Sequence, residues 1–182
     1  YDAGVSPKGV VERSDGDTVW DVARGKAACK AALQRELGLD VDPHAPLIGF
    51  IGRLDHQKGV DVLLDVVPHI CASGGQVVML GSGDPGLEHG MREMERRHKG
   101  RVVGWVGFSV PVSHKITAGA DILAMPSRFE PCGLNQLYAL RYGTLPVAHA
   151  TGGLRDTVKG RVGYPFAPCE AGALRRAMDR AM

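Results

Sequence analysis

From residue 26 onward the chain alternates short, continuously apolar runs with segments of helical periodicity. The apolar runs predict strands at Leu47 to Ile51, Gln76 to Leu80, Val102 to Val106, Asp121 to Met125, Leu145 to His149 and Gly163 to Phe166. Helical patterns fall between them, at about Gly59 to Ala72, Pro85 to Lys99, Pro111 to Ala118 and Gly133 to Tyr142, with a short one near Leu154 and a last one from Glu170 to the end. A further helix runs from Lys26 and is closed by Gly38. Strands that are apolar throughout, with helices between them, specify a parallel sheet covered on both faces. The fold class is therefore α/β, a Rossmann-like doubly wound parallel sheet. Residues 1–25 are polar, rich in Gly, Asp and Ser, and weakly periodic, which predicts a lead-in or interdomain segment of low structural content; residues 26–182 read as one domain.

Composition narrows the class. At 182 residues, 44% hydrophobic and 23% charged, the chain is long enough for one core. A net charge of +2, from 22 basic and 20 acidic residues, argues against a nucleic-acid partner. The densest basic cluster, Arg96 to Lys99, ends a predicted helix, where cations offset the carbonyl dipole. Cys29, Cys71, Cys132 and Cys169 show no paired spacing and the seven histidines no ligand pattern, so neither a disulfide framework nor a metal is expected and a reducing compartment is favoured. No apolar run of about 18 residues predicts a membrane span. The chain begins at Tyr1 without a leader pattern, and the expectation is that a leader or a whole domain has been cut away.

Candidate chemistry collects in loops after the strands, the edge where such sheets bind ligands. Residues 126–136, Pro-Ser-Arg-Phe-Glu-Pro-Cys-Gly-Leu-Asn-Gln, put the carboxylate of Glu130 and a glycine turn where a strand hands over to a helix carrying Leu134, Leu137 and Tyr138 on one face. Outward amides there suit phosphate, and a carboxylate suits sugar hydroxyls. Residues 52–59, Gly-Arg-Leu-Asp-His-Gln-Lys-Gly, place Arg53 and Lys58 in one loop as a planar fork and a mobile point charge able to clamp a diphosphate. Gly81-Ser-Gly-Asp-Pro-Gly86 matches G-x-G-x-x-G, but it follows the second strand and the next strand ends without a ribose-binding acid. It reads as a tight turn bordering the cleft. Phe108 is the candidate to stack on a base, whereas Trp105 reads as core and His114 as a locally bonded residue starting a helix. Thr151, Gly152 and Gly153 offer either further amides to an anion or a flexible turn. Cys132 has no activating histidine in its motif and reads as a small packing residue rather than a nucleophile.

Arg53 with Lys58, the Ser127–Gln136 block, Tyr142-Gly-Thr-Leu-Pro146 and Thr151-Gly-Gly-Leu-Arg-Asp-Thr-Val158 together resemble the starch and bacterial glycogen synthases. The stretches Gly25–Leu39, Pro46–Leu54 and Gly104–Phe108 look most like the plant and algal soluble starch synthase I branch, and the resemblance runs from about Asp15 to the end. It implies a retaining GT-B glycosyltransferase that moves glucose from ADP-glucose to the non-reducing end of an α-1,4-glucan, in the plastid, with no cofactor and in the company of other starch-building enzymes. Residues 26–182 would be its C-terminal ADP-glucose-binding domain, the N-terminal acceptor domain being absent from the sequence. Arg53, Lys58 and Glu130 would be catalytic, the first two on the diphosphate and Glu130 facing the glucose. Gly133 and Leu134 would meet the distal phosphate and Phe108 the adenine, with Gly52, Cys132, Tyr138, Thr151, Gly152 and Gly153 completing the nucleotide-sugar site. Tyr138 stands where the broader superfamily has a second glutamate, so ribose recognition is not assigned to a carboxylate. Inserts expected of the family are missing between Asp21 and Gly25 and between Val158 and Gly163. The resemblance therefore implies a glucosyltransferase fragment, with a non-catalytic nucleotide- or glucan-associated module, or an inactive truncated gene product, as the alternative.

Overall fold

The computed structural model describes residues 9–12 and 18–182. Strands β1 (Gly9–Glu12) and β2 (Thr18–Asp21) pair antiparallel, with Gly9 opposite Asp21, and helix α1 (Val22–Leu37) follows directly. This corrects the expectation of low structural content before Lys26. Val10-Val11 and Thr18-Val19 are β-branched pairs suited to strands, but runs this short leave no measurable period. Residues 1–8 and 13–17 of the predicted lead-in lie outside the described residues.

The main sheet has six strands, β3 (Leu47–Ile51), β4 (Gln76–Gly81), β5 (Val102–Val106), β6 (Ile122–Met125), β7 (Leu145–His149) and β8 (Tyr164–Phe166). All neighbours are parallel, in the order β5-β4-β3-β6-β7-β8. The connecting helices are α2 (Val60–Ala72), α3 (Pro85–Arg97), α4 (Val110–Gly119), α5 (Asn135–Arg141) and α6 (Gly152–Thr157), and α7 (Ala171–Ala181) closes the chain.

Successive residues of a strand point to opposite faces, and here both faces are covered. Ile48 and Phe50 of β3 and Val77 and Met79 of β4 pack with Leu63 and Val67 of α2 and Leu174 and Met178 of α7. Leu47, Val78 and Leu80, one step out of phase, pack with Leu33 of α1 and Ile116 of α4. That is why the strands read as unbroken apolar runs: β4 and β6 are buried throughout, and in β3 only the last residue, Ile51, is partly exposed. Each fully buried aliphatic side chain contributes roughly 1.5–3 kcal/mol relative to exposure, so alternating polar residues would be costly on either face.

The chain winds outward from β3 to β5, returns beside β3 as β6, and winds the other way to β8. The connections leaving β3 and β6 therefore part in opposite directions, which opens a crevice at the carboxyl ends of these two strands, the place where doubly wound sheets bind ligands.

Candidate active site

That crevice is a cleft of about 290 Å³ lined by Ile51, Met125, Lys58, Ser127, Glu130 and Asn135 among others. Each side chain is placed by local chemistry. After β3 the Asp55 carboxylate caps a one-turn 3-10 helix, His56–Lys58, by accepting the Lys58 amide at 2.9 Å. Gly59 ends that turn at φ 66°, and a Cβ there would lie 2.0 Å from the Pro126 carbonyl oxygen. Only glycine allows the backbone after β3 to touch the backbone after β6.

The two loops are joined beyond this point. The Arg128 guanidinium donates to both oxygens of Asp61 at 2.8 and 2.6 Å and to the His56 carbonyl at 2.9 Å. The Arg128 amide donates to the Gln57 carbonyl at 2.8 Å, and Gln57 Nε2 donates to the Phe129 carbonyl at 3.1 Å. The hydrogen bonds from Arg128 hold the Asp61 carboxyl below its ordinary range.

Within this joined frame Lys58 Nζ lies 2.5 Å from Glu130 Oε2, and Ser127 Oγ donates to the same oxygen at 3.1 Å. The Glu130 side chain is only 13% exposed, and Lys58 and Ser127 are its partners there. Arg53 stands at the rim with 68% of its side chain exposed, its guanidinium 3.1 Å from Asp55 and 3.3 Å from Gln57 Oε1. The structure thus brings Lys58 and Glu130 together and leaves Arg53 at the rim; it adds Asp55 and Ser127, which the sequence reading does not single out. Asp55 was visible in principle as an acid three residues before Lys58, the spacing of a turn cap.

Gly133 turns the chain at φ 70°, Leu134 precedes α5, and no acceptor among the described residues takes the amide of either. Asn135 Nδ2 ties this end of α5 to the Ile51 carbonyl at 3.3 Å. The predicted helix started at Gly133; it starts at Asn135 because a left-handed residue cannot continue a right-handed turn. Leu134, Leu137 and Tyr138 do share a face, and that face is exposed, while Gln136 and Ala139 are buried.

Thr151, Gly152 and Gly153 require a correction. The Gly153 amide donates to the carbonyls of Glu130 at 3.0 Å and Pro131 at 3.2 Å, and the Thr151 amide donates to the His149 carbonyl at 2.8 Å. A Cβ on Gly153 would lie 2.0 Å from the Cys132 oxygen. This glycine pair supports the Glu130 turn from behind, and the amides of Thr151 and Gly153 are already engaged. Cys132 also departs from expectation: its side chain is exposed and packs in no core, since the turn directs its carbonyl inward instead.

Phe108, after the edge strand β5, is 89% exposed and presents a free ring. Trp105, expected in the core, is 40% exposed near the end of the edge strand β5. Ser109, whose Oγ accepts the Val112 amide at 3.3 Å, caps α4, and His114 sits inside that helix rather than starting it. In the G-x-G-x-x-G turn, Asp84 Oδ1 accepts the amides of Gly86 at 2.8 Å and Leu87 at 3.0 Å. A carboxylate thus fills the start of α3 where a dinucleotide would put its phosphates. Gly52 lies at the end of β3, its amide bonded to the Leu80 carbonyl at 3.0 Å.

Among the described residues no three His, Cys, Asp or Glu side chains could together hold a metal, and no helix is long and apolar enough to cross a membrane.

Residues 45–182 match the family model for group 1 glycosyl transferases, a class whose doubly wound domains the sheet order and switch-point cleft fit. The chain is 58% identical over 165 residues to starch synthase 2, chloroplastic/amyloplastic, of Arabidopsis thaliana, which covers 87% of this chain and 21% of that protein. It is 65% identical over 139 residues to soluble starch synthase 1, chloroplastic/amyloplastic, of Oryza sativa subsp. japonica, covering 76% of this chain and 22% of that protein. Among solved structures, the catalytic domain of starch synthase IV from Arabidopsis thaliana bound to ADP and acarbose superposes with a TM-score of 0.79 at 34% identity, over 87% of this chain and 35% of that one. The chain belongs to the starch synthase family of group 1 glycosyltransferases, with the α/β architecture of a GT-B domain. It spans about a fifth of the length of the curated relatives it matches.

Proposed function

We propose that this chain is the nucleotide-sugar-binding part of a retaining glucosyltransferase that transfers glucose from ADP-glucose to the non-reducing end of an α-1,4-glucan. The observation that carries the reading is the Lys58–Glu130 pair, 2.5 Å apart in a cleft between β3 and β6, with Arg53 free to swing in from the rim. Transfer breaks the bond from the anomeric carbon to the phosphate oxygen, and the electron pair leaves with ADP. Two cations where that charge collects stabilise the transition state more than the ground state. Arg53 gives up only exposed contacts to do this, which costs little.

In this reading Lys58 meets the diphosphate while remaining beside Glu130, and Glu130 faces the glucose undergoing transfer. Gly133 and Leu134 turn their amides to the distal phosphate, and Phe108 stacks on adenine. Gly52, Cys132 and Tyr138 border the donor, with Thr151, Gly152 and Gly153 behind it holding the turn. The reading calls for no cofactor beyond the donor substrate itself. The relatives' names and the ADP in the solved relative support it. The relatives' names also support a plastid location, where the protein would work beside other enzymes that build starch.

The test is transfer by the full-length protein with ADP-glucose and a glucan primer, read as ADP release and chain extension. Extension with the α configuration retained supports the reading. ADP binding without extension favours a non-catalytic nucleotide-associated module.

A further inference from the structure

Gln136 is a polar residue where α5 should bury an apolar one. It is fully buried, and its Nε2 donates to the carbonyls of Cys132 at 3.2 Å and Gly133 at 3.0 Å and to Thr157 Oγ1 at 3.1 Å. Thr157 Oγ1 in turn donates to the Gly153 carbonyl at 2.6 Å, and the Gly153 amide donates to the Glu130 carbonyl. The donors and acceptors close a ring around the turn: Glu130 to Gly153 to Thr157 to Gln136 and back to Cys132 and Gly133.

The orientation of the amide is determined by its surroundings. Turned over, its oxygen would face two carbonyl oxygens, so the NH2 group must point at the turn. This leaves Gln136 Oε1 buried without a hydrogen-bond partner, which is unfavourable. A glutamine kept only for packing could be replaced by Leu or Met at no such cost. One kept to grip two successive carbonyls could not, because peptide planes are rigid and fixing a carbonyl fixes the amide on its far side. Holding the carbonyls of Cys132 and Gly133 inward aims the following amides, those of Gly133 and Leu134, toward the cleft.

We propose that Gln136, braced by Thr157 from α6, is a positioning residue that sets the Glu130–Leu134 turn for the distal phosphate of the donor. This rests on the diphosphate reading above. It gives Thr157 a function at a site that its side chain does not touch.

The experiment is an NMR titration of this chain with ADP and with AMP, which lacks the distal phosphate, for the wild type, Gln136→Glu, Thr157→Val and Thr157→Ser. Glu keeps the shape of Gln but removes the donors. We expect Gln136→Glu to bind AMP as the wild type does and ADP roughly tenfold more weakly, the scale of one lost hydrogen-bond partner. Thr157→Val should move in the same direction by less, and Thr157→Ser should restore the wild-type preference. If Gln136→Glu weakens AMP and ADP equally, or if it and Thr157→Val keep the full preference for ADP, the positioning role is overturned. A wild type with no preference for ADP over AMP would instead remove the diphosphate reading, and this inference with it. Should Gln136→Glu not fold, the two Thr157 variants decide the question alone.

Discussion

Lys58 Nζ and Glu130 Oε2, 72 residues apart in sequence, meet at 2.5 Å because Gly59 lets the backbone after β3 rest on Pro126. The ion pair is thus a product of the sheet order: β3 and β6 are neighbours, and their loops have nowhere else to go. Replacing Lys58 by Ala leaves a largely buried carboxylate without its cation. We expect a stability loss of about 1–3 kcal/mol and, in the full-length enzyme, a fall in turnover of roughly 10²- to 10³-fold. Thermal melts and steady-state rates check the two effects separately.

Arg53→Ala should behave differently. The side chain is 68% exposed and its contacts are weak, so stability should change by no more than about 0.5 kcal/mol. If the guanidinium acts on the bound donor as proposed, turnover should nevertheless fall on the same scale as for Lys58. A rate within threefold of the wild type, about 0.7 kcal/mol, would remove Arg53 from the site.

Gly59→Ala tests the joint between the loops. The left-handed φ and the 2.0 Å approach to the Pro126 oxygen together predict a destabilisation of about 2–4 kcal/mol. Denaturant unfolding with an unchanged m-value would confirm it; a loss under about 0.5 kcal/mol would mean that the loops part freely.

Lys26 offers a pH-dependent test away from the cleft. Its ammonium donates to Thr144 Oγ1 beneath the sheet, and burial lowers its pKa from 10.5 to about 8. A lysine with a depressed folded pKa holds its proton less tightly in the fold than in the unfolded chain. Its contribution to stability therefore rises with pH above about 8. The thiols of Cys29 and Cys71, both raised by burial, act in the opposite sense at higher pH. Lys26→Met should flatten the rise between pH 8 and 9, measured as the difference from the wild type. Parallel stability curves for the two proteins would contradict this placement.

The strands were legible because burial on both faces leaves a local mark: Leu47–Ile51, Val102–Val106 and Leu145–His149 fall where the apolar runs predicted them. The charged groups of the site were legible because Gly59 and Gly133 flag the turns that carry them. What sequence could not show depends on tertiary surroundings. Trp105 is exposed near the end of the edge strand β5, and Gln136 is buried because α5 turns its leucines outward. The Gly153 amide is occupied by the Glu130 carbonyl and the Thr151 amide by that of His149, pairings that no local pattern encodes. The β1–β2 hairpin leaves no sequence signal, because two β-branched residues in a row make no pattern.

On the proposed reading the cleft between β3 and β6 holds a diphosphate. Calorimetric titration of this chain with ADP, for the wild type and Lys58→Ala, tests it most directly. One ADP should bind per chain, with an affinity at least roughly tenfold lower in the variant, the effect of removing one charged hydrogen-bond donor. Equal affinity for ADP in both proteins, or no binding by a folded wild type, would contradict it.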